Sequence, residues 1–193
     1  NKVNRLDAVV FTHEHKDHVA GLDDVRAFNY KHQKDMNVYA SEQVQVGLKG
    51  EFHYAFAKNT HAGIPRFVLN TIDKESTFEI GDIPFQSVEV KHYKLAVLGY
   101  RINDFVYITD ASSIDDEQKK KIKGCKVLVL NALRKKKHIS HFNLEEAIAM
   151  AKELEAETAY FTHISHFMGL HDEVSKELSA NMHLAYDGLE IEL

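Results

Sequence analysis

The sequence predicts an α/β fold in which a sandwich of β-sheets is flanked by helices. Short apolar runs typical of strands alternate with segments of helical periodicity along most of the 193 residues. Several of these runs end directly in histidine or aspartate, and open α/β sheets place their ligand sites at the carboxyl ends of strands. A chain of this length can bury one substantial core, so we expect a single domain over residues 1–193.

The composition is that of an ordinary soluble chain. Charged residues make up 27% of the sequence and the net charge is −5, which gives no support for broad nucleic-acid binding. No apolar run approaches the length of a membrane span, so we expect a cytoplasmic protein without a membrane partner. Cys125 is the single cysteine; it can form no internal disulfide, and its apolar surroundings predict a buried free thiol.

The first third of the chain is predicted to contain two strands and a helix. Residues 6–11 are typical of a buried strand, and residues 37–40 of a second, shorter one. Residues 17–32 are predicted to be a loop followed by a helix. The apolar face of that helix would comprise Val19, Leu22, Val25, Ala27 and Phe28.

Residues 42–70 give no clear pattern. They could form an active-site flap or a dimer contact, and we expect His53 and His61 on the solvated surface. The next stretch, residues 77–107, is predicted to form strands with turns at Gly81–Asp82 and Asn103–Asp104.

The last third alternates helices and strands. Ser113 is predicted to cap a helix that Gly124 stops, and acidic residues fill its first turn. Asn143 is predicted to cap the next helix, with Glu146 as its capping-box partner. Strands are predicted over residues 126–132, at a run that ends at His163, and over residues 189–191, with a short helix from about Asp172.

The densest group of chemistry-bearing side chains follows the first strand. Residues 13–18 read His-Glu-His-Lys-Asp-His, so metal-ligand types dominate the segment. His13 and His15 are two residues apart and can point to one side of an extended backbone, while Asp17 and His18 can turn towards a second ion. Imidazole nitrogen and carboxylate oxygen suit zinc, and also manganese or iron. Ordinary surface histidines are the competing interpretation.

Residues 12–18 resemble the T-H-x-H-x-D-H signature of the metallo-β-lactamase-fold hydrolases. Three further signatures follow in the family's order: His92 after a strand-like run, Asp110 closing residues 105–110, and His163 closing residues 159–163. The resemblance covers nearly the whole chain. It implies the four-layer αββα metallo-β-lactamase sandwich, which agrees with the α/β class predicted from the alternating elements.

Within that family the chain resembles the phosphodiesterase branch, which includes tRNase Z and the cyclic phosphodiesterase of the carbon–phosphorus lyase pathway. His18 directly follows the motif aspartate, residues 98–101 resemble the branch's LGYR strand, and residues 139–147 resemble a segment with an extra active-site histidine. His163 and His166 resemble the HIGH segment of the cyclic phosphodiesterase, which is therefore the better match.

The resemblance implies two divalent metal ions, zinc or manganese. One ion would be held by His13, His15 and His92, the other by Asp17, His18 and His163, with Asp110 bridging them. An anion between two dications offsets their repulsion. A hydroxide activated by the metals would attack phosphorus in line.

The resemblance also assigns a catalytic role to His141. His141 lies just ahead of a predicted helix, where backbone N–H groups favour an anion. It would bind a phosphate oxygen or protonate the leaving alkoxide; the competing interpretation is an exposed loop histidine. Asp17 could also carry a proton. His138 has weaker support, and the basic residues 134–137 form either a solvated loop or a phosphate-facing one.

Relatives carry N-terminal β-hairpins before the first motif, whereas this sequence reaches the motif within a few residues of Asn1. We therefore expect an N-terminally incomplete domain. The sequence does not decide whether the protein has a signal peptide. Some relatives have a cysteine cluster there that forms a structural zinc site with a residue like His166, so His166 is either such a ligand or a supporting residue. Residues 186–188 resemble the closing turn of the family, and His171 could line the pocket.

A phosphodiesterase acting on small or cyclic phosphodiesters is the favoured function. The main alternative keeps the metals but hydrolyses lactones, thioesters or β-lactams; His18 and His141 argue against it. A tRNA 3′-processing endonuclease is a further alternative, which the negative charge and the lack of a long basic arm disfavour. The last alternative is a metal-binding module without catalytic activity. A homodimer is expected by analogy alone.

Overall fold

The computed structural model describes residues 3–58 and 63–193. His61, which we expected at the surface, lies outside the described residues. The chain divides into two compact units, Asn1–Ile83 and Pro84–Leu193. The single domain predicted over residues 1–193 stays a prediction.

The first unit is built on a parallel three-stranded sheet in the order β1-β2-β3. Its strands are β1 (Ala8–Val10), β2 (Met36–Ala40) and β3 (Phe67–Thr71). A fourth strand, β4 (Thr77–Ile80), ends at the predicted turn at Gly81, where φ is +62°. The helices are α1 (Lys16–Val19), α2 (Arg26–His32) and α3 (Glu42–Glu51), with 3-10 turns over Ala20–Val25 and His53–Phe56.

The apolar face predicted for residues 17–32 is correct except for Ala27, which is exposed. A 3-10 turn has about three residues per turn, so the segment before α2 breaks the 3.6-residue period that the prediction assumed. Asn29 takes the buried position instead. Its amide donates to the carbonyls of Lys34 at 2.8 Å and Arg66 at 3.1 Å, which satisfies the buried polar group.

The segment that gave no clear pattern contains α3. Its Ser41 N-cap accepts a hydrogen bond from Val44 N at 3.3 Å, and Val44 and Leu48 are buried. Two glycines and several polar residues dilute the periodicity of this helix, which is why it was missed.

The second unit is built on a mixed sheet. Its strands are β5 (Ile83–His92), β6 (Leu95–Ile102), β7 (Phe105–Ile108), β8 (Val127–Asn131), β9 (Thr158–Thr162) and β10 (Met182–Leu184). Their order is β10-β9-β8-β7-β6-β5. The pairs β5–β6 and β6–β7 are antiparallel, whereas β7 to β10 run parallel. The carboxyl ends of the four parallel strands therefore meet at one edge.

Helices α4 (Asp116–Ile122), α5 (Leu144–Glu153) and α6 (His171–Ser175) complete the second unit. The core beneath them includes Ile108, Leu130 and Phe161, all fully buried. The capping box predicted for α5 is confirmed: Asn143 Oδ1 accepts from Glu146 N at 2.8 Å, and Glu146 Oε2 accepts from Asn143 N at 3.1 Å.

Two predicted elements are wrong. Helix α4 is preceded by Asp115 as its N-cap, not by Ser113, because Ser113 pairs with the end of β5 through a Lys91 N to Ser113 O bond of 3.0 Å. Residues 189–191 form no strand within the described chain. They follow a turn in which Leu189 N donates to Tyr186 O at 3.1 Å, and β10 is the edge strand of the sheet.

Among the helices of the described residues, none combines the length and apolarity needed to cross a membrane.

A substitution of Gly99 by alanine should destabilise the second unit. A Cβ built on Gly99 would lie 2.8 Å from the Tyr107 carbonyl oxygen and 2.9 Å from Ile108 Cγ1. Because β6 and β7 are paired here, the backbone itself must shift, and overpacking of this kind costs about 1–3 kcal/mol. Urea unfolding of Gly99→Ala should show this loss. Ala96→Val, on an exposed position of the same strand, should stay within about 0.5 kcal/mol of the parent; equal effects would contradict the steric argument.

Candidate metal centre

The first histidine cluster (His13, His15, Asp17 and His18) lies at the carboxyl end of β1. Phe11 N donates to Tyr39 O at 2.9 Å, which continues the pairing of β1 with β2 by one residue. The chain then enters α1, whose N-cap is His15. This geometry leaves His13 fully buried and His15 exposed.

The ring nitrogens of this cluster converge. His13 Nε2 lies 3.1 Å from His15 Nδ1, and the His13 and His18 ring centroids are 4.2 Å apart. Two nitrogens that share a tetrahedral zinc ion at about 2.0 Å each are separated by about 3.3 Å, so the observed spacing is close to that of a shared ion. The Thr12 hydroxyl lies 3.1 Å from His13 Nδ1. If Nδ1 carries the proton and donates it to Thr12, Nε2 is the unprotonated nitrogen, which is the form that binds a metal.

Asp17 is an exposed member of the first cluster. Its carboxylate is 66% exposed, and Asp17 Oδ2 lies 3.3 Å from His18 Nε2. An exposed carboxylate beside an imidazole can bind a cation or exchange a proton with solvent, so both roles expected of Asp17 are physically available.

Helix α3 holds the loop that carries the first cluster. Gln43 Nε2 donates to Glu14 Oε1 at 2.7 Å, and Lys16 forms an ion pair with Glu51. A Cβ on Gly47 would lie 2.8 Å from Glu14 Cβ, so the helix and the loop are in direct contact. Glu14 is therefore turned towards α3, which explains how a carboxylate inside the motif can serve packing instead of metal binding.

The second histidine cluster (His92, Asp110, His141 and His163) is assembled by the parallel strands of the second unit. Asp110 follows the end of β7 by two residues and His163 directly follows β9. Both adopt left-handed backbone conformations, with φ of +57° and +54°. This conformation costs an ordinary residue roughly 1–2 kcal/mol. Its occurrence at two site residues indicates that the surrounding structure enforces it.

Asp110 is the centre of the second cluster. Its carboxylate is 3% exposed. Oδ1 accepts from the Thr109 hydroxyl at 2.7 Å and lies 3.3 Å from His163 Nε2, while Oδ2 lies 3.2 Å from His141 Nε2. A buried carboxylate requires such partners or a cation. Burial, and then the negative charge of Asp110, raise the pKa of Tyr107.

His92 is oriented by the loop before α5. Its Nδ1 lies 2.8 Å from the carbonyl oxygen of Ser140. A carbonyl can only accept, so Nδ1 carries the proton, and in the neutral ring Nε2 is the unprotonated nitrogen that can bind a metal. Ligand atoms of His92, Asp110 and His141 all lie within 4.8 Å of one another. Imidazole nitrogens around a buried carboxylate form a donor set that fits zinc or manganese.

His141 is not an exposed loop residue. Its side chain is 11% exposed, and the ring stacks on that of His163 with the centroids 5.1 Å apart. Its Nδ1 lies 3.0 Å from the Ser140 hydroxyl and 3.2 Å from His138 Nδ1. Burial and the neighbouring His141 lower the pKa of His138, so this second histidine favours the neutral form.

The basic residues 134–137 are largely engaged by their own surroundings. Arg134 donates to the carbonyls of Lys136 at 3.2 Å and Lys137 at 2.9 Å. Lys135 pairs with Glu177 at 2.6 Å. These contacts favour the solvated-loop interpretation of the segment over the phosphate-facing one.

The remaining predicted residues lie around the end of β9. His166 is exposed, and its ring centroid lies 3.9 Å from that of Phe167; its assignment as a structural ligand stays a prediction. A cavity of about 260 Å³ lies beside His163, lined also by Tyr186 and Asp187. His171 contacts the Tyr186 ring edge-on at 5.9 Å between centroids. The predicted closing turn at residues 186–188 thus borders the second cluster.

Sequence reasoning missed Asn131. It is fully buried at the end of β8, where its side chain bonds to both main-chain groups of Ala111. The only signal available was a lone amide closing the apolar run Val127–Asn131. Cys125 is free and buried, as predicted, and burial raises the pKa of its thiol.

Comparisons with known proteins give one family and several activities. Residues 1–164 match a family model described as a β-lactamase superfamily domain. An octanoyltransferase of Porphyromonas gingivalis is 35% identical over 189 residues, which cover 97% of this chain and 38% of that protein. An exodeoxyribonuclease of Streptococcus pneumoniae is 31% identical over 119 residues, covering 60% of this chain and 40% of that protein. The chain thus spans about two fifths of the length of these curated relatives.

Among solved structures, a diphosphatase from the PhnP family is similar over 99% of this chain and 73% of its own. The sequence identity is 36% and the TM-score is 0.89.

Proposed function

Because the chain belongs to the β-lactamase superfamily, we propose that it is a hydrolase that cleaves small or cyclic phosphodiesters with the help of two divalent ions, zinc or manganese. The family and the mixed α/β metallo-β-lactamase fold predicted from the motifs are confirmed by the match over residues 1–164 and by the solved neighbour. The substrate, the number of ions and the role of each residue belong to the proposal.

The observation that carries the proposal is the position of His141. Its Nε2 lies 3.2 Å from Asp110 Oδ2, and its side chain is 11% exposed. It also lies two residues before Asn143, the N-cap of α5. The ligand set implied by the motifs places His92 and His163 on different ions and does not include His141, so we propose that His141 faces the substrate. In the phosphodiesterase branch that the motifs resemble, this is the role of the extra histidine.

The proposed ligands follow the order of the motifs in the sequence. We assign His13, His15 and His92 to one ion, Asp17, His18 and His163 to the other, and Asp110 to both. Two bound divalent ions would supply a nucleophilic hydroxide at neutral pH and offset charge on the phosphoryl oxygens. The 3.1 Å between His13 Nε2 and His15 Nδ1 supports their assignment to one ion, and the approach of His92 to Asp110 supports these two as ligands of a common ion.

The chain's own residues would position and protonate the substrate. His141 either donates a hydrogen bond to a phosphoryl oxygen or transfers a proton from Nε2 to the leaving alkoxide. Asp17, whose carboxylate is 66% exposed, would carry a proton between the site and solvent. His92 would be kept in one tautomer by the Ser140 carbonyl.

The named relatives support this proposal unequally. The neighbour named a diphosphatase acts on a phosphorus compound and matches nearly the whole chain. The proteins named octanoyltransferase and exodeoxyribonuclease are each matched over about two fifths of their length, so their activities need not reside in the matched part. We propose a small phosphodiester as substrate and a homodimer as the assembly, with neither nucleic acid nor a membrane as partner.

The proposal is tested by hydrolysis of bis(p-nitrophenyl) phosphate. The protein is stripped with a chelator and resupplied with Mn²⁺ or Zn²⁺. We expect metal-dependent release of nitrophenolate, and a loss on the order of 10²–10⁴-fold in kcat/KM for His141→Ala with its metal content intact. His183→Ala, which removes an exposed histidine from β10, is the matched control and should leave the rate unchanged.

A second substrate separates the two roles of His141. A cyclic phosphodiester has a poor alkoxide leaving group, whereas nitrophenolate leaves readily without a proton. If His141 is the acid, the deficit of His141→Ala should be much larger on the cyclic substrate; if it binds a phosphoryl oxygen, the two deficits should be equal. Metal-loaded protein that hydrolyses neither substrate but cleaves an octanoyl thioester, a lactone or single-stranded DNA would overturn the proposal.

A further inference from the structure

The end of β8 contains a buried amide that the proposed chemistry does not use. Asn131 is fully buried and is the last residue of β8. Its Oδ1 accepts from Ala111 N at 2.7 Å, and its Nδ2 donates to Ala111 O at 3.0 Å. Both polar atoms of the side chain are therefore bonded to a single main-chain residue, the one that follows Asp110.

The amide side chain of Asn131 replaces a pair of main-chain hydrogen bonds between β7 and β8. Strands β7 and β8 pair in register up to Ile108 and Leu130. Beyond that point the backbone turns sharply, with φ of +57° at Asp110, so β7 can no longer pair as a strand. The Asn131 side chain carries the same donor and acceptor as a backbone amide and takes over the pairing at Ala111. The two hydrogen bonds to Ala111 thereby hold the backbone directly after the left-handed residue Asp110.

Asn131 also connects the other segments of the second histidine cluster. In the β8–β9 ladder it lies opposite Thr162, the residue before His163. The Ala111 carbonyl that accepts from Asn131 also accepts from Phe142 N at 2.7 Å, directly after His141. The Asn131 side chain is thus bonded next to Asp110 and shares the Ala111 carbonyl with the residue after His141, while the Asn131 backbone is paired next to His163.

We propose that Asn131 is a positioning residue for the metal centre: it holds Asp110 in the conformation that aims its carboxylate at His141 and His163. This inference rests on the proposed function, since it assigns Asn131 to the geometry of the same ion site. Asn131 does not contact the substrate; it acts through Asp110. Groups that orient metal ligands in this way typically contribute about 10–100-fold to metal affinity.

The test compares Asn131→Leu with Gln118→Leu. Gln118 is another buried amide of the second unit, and its Oε1 accepts from Glu89 N at 2.9 Å, so its loss removes a buried main-chain hydrogen bond away from the cluster. Each protein is stripped and titrated with Co²⁺ against a competing chelator, and the visible d–d absorption is recorded. Melting temperatures of the metal-free proteins measure the structural cost of each change.

We expect Asn131→Leu to weaken Co²⁺ binding by about 10–100-fold and to change the d–d spectrum. kcat should fall while KM stays within about twofold, since ground-state binding is unaffected. Gln118→Leu should lower the melting temperature but leave Co²⁺ affinity and spectrum unchanged. Asn131→Ser keeps one polar group in a smaller side chain, so its Co²⁺ affinity should lie between those of the parent and Asn131→Leu. It replaces Asn131→Leu in the test if that variant does not fold.

Co²⁺ affinity and spectrum that are equal in the two leucine variants would overturn the inference and make Asn131 a purely structural residue. Loss of Co²⁺ binding in Asn131→Leu, with a wild-type protein that hydrolyses no phosphodiester, would support the inference and overturn the proposed function. A wild-type protein that binds no Co²⁺ would overturn both.

Discussion

The Asp110→Ala protein is expected to lose metal ions and, with them, on the order of 10³-fold or more in kcat/KM for phosphodiester hydrolysis. Asp110 is the carboxylate that both His141 and His163 face, at 3.2 and 3.3 Å. Without it, the imidazoles of the second cluster have no anion to offset the charge of a bound cation. Metal content by elemental analysis and rates with added Mn²⁺ or Zn²⁺ measure both effects.

Two further variants make this prediction specific. Asp104→Ala removes a carboxylate that pairs with Lys126 at 2.8 Å on the surface, and it should keep metal content and activity. Asp110→Asn keeps the shape of the side chain and should lose activity like Asp110→Ala. Its metal-free form should keep the fold, because the amide oxygen of the same shape can still accept from the Thr109 hydroxyl. Full metal content and activity in Asp110→Asn would exclude Asp110 as a ligand.

The Phe161→Ala protein should be destabilised by about 3–5 kcal/mol, the usual loss for a fully buried phenylalanine. Phe161 is fully buried in β9 and is paired with Leu130 of β8 and Leu184 of β10. The free energy of unfolding in urea, measured on metal-free protein so that ligand binding does not contribute, gives the value directly.

Phe167→Ala is the matched control for this change. Phe167 is 65% exposed and lies six residues further along the chain. Removing its ring should therefore change the free energy of unfolding by no more than about 0.5 kcal/mol. The m value should be unchanged in both variants. A loss below about 1 kcal/mol in Phe161→Ala would mean that the site collapses around the missing ring or that the core is less tightly packed than the structure indicates.

Local sequence chemistry predicted the elements that carry their own signals. The capping box of α5 needs only Asn143 and Glu146 three residues apart, and it is present as predicted. The turn at Asn103 needs a residue that tolerates a left-handed conformation, and φ there is +54°. Such features depend on neighbours within a few residues, which the sequence displays directly.

Elements whose stability depends on distant partners were predicted less well. Helix α3 has a weak periodicity, and its contact with Glu14 through Gly47 is invisible in the sequence. Ser113 has the chemistry of an N-cap, but its main chain pairs with Lys91 instead. Residues 189–191 alternate like a strand, yet they lie outside the sheet, whose edge strand is β10. In each case tertiary contacts overrode a local preference.

The sequence by itself determined the family, the fold class and the candidate ligands, because these depend on residue types at fixed spacings within short motifs. Only the tertiary structure decided how those side chains are held. It placed His141 beside Asp110 with its side chain largely buried, turned Glu14 towards α3, and made Asn131 the partner of Ala111. The physical reason is that hydrogen-bond partners and burial are set by strands far apart in the chain, and no local pattern records which of them will meet.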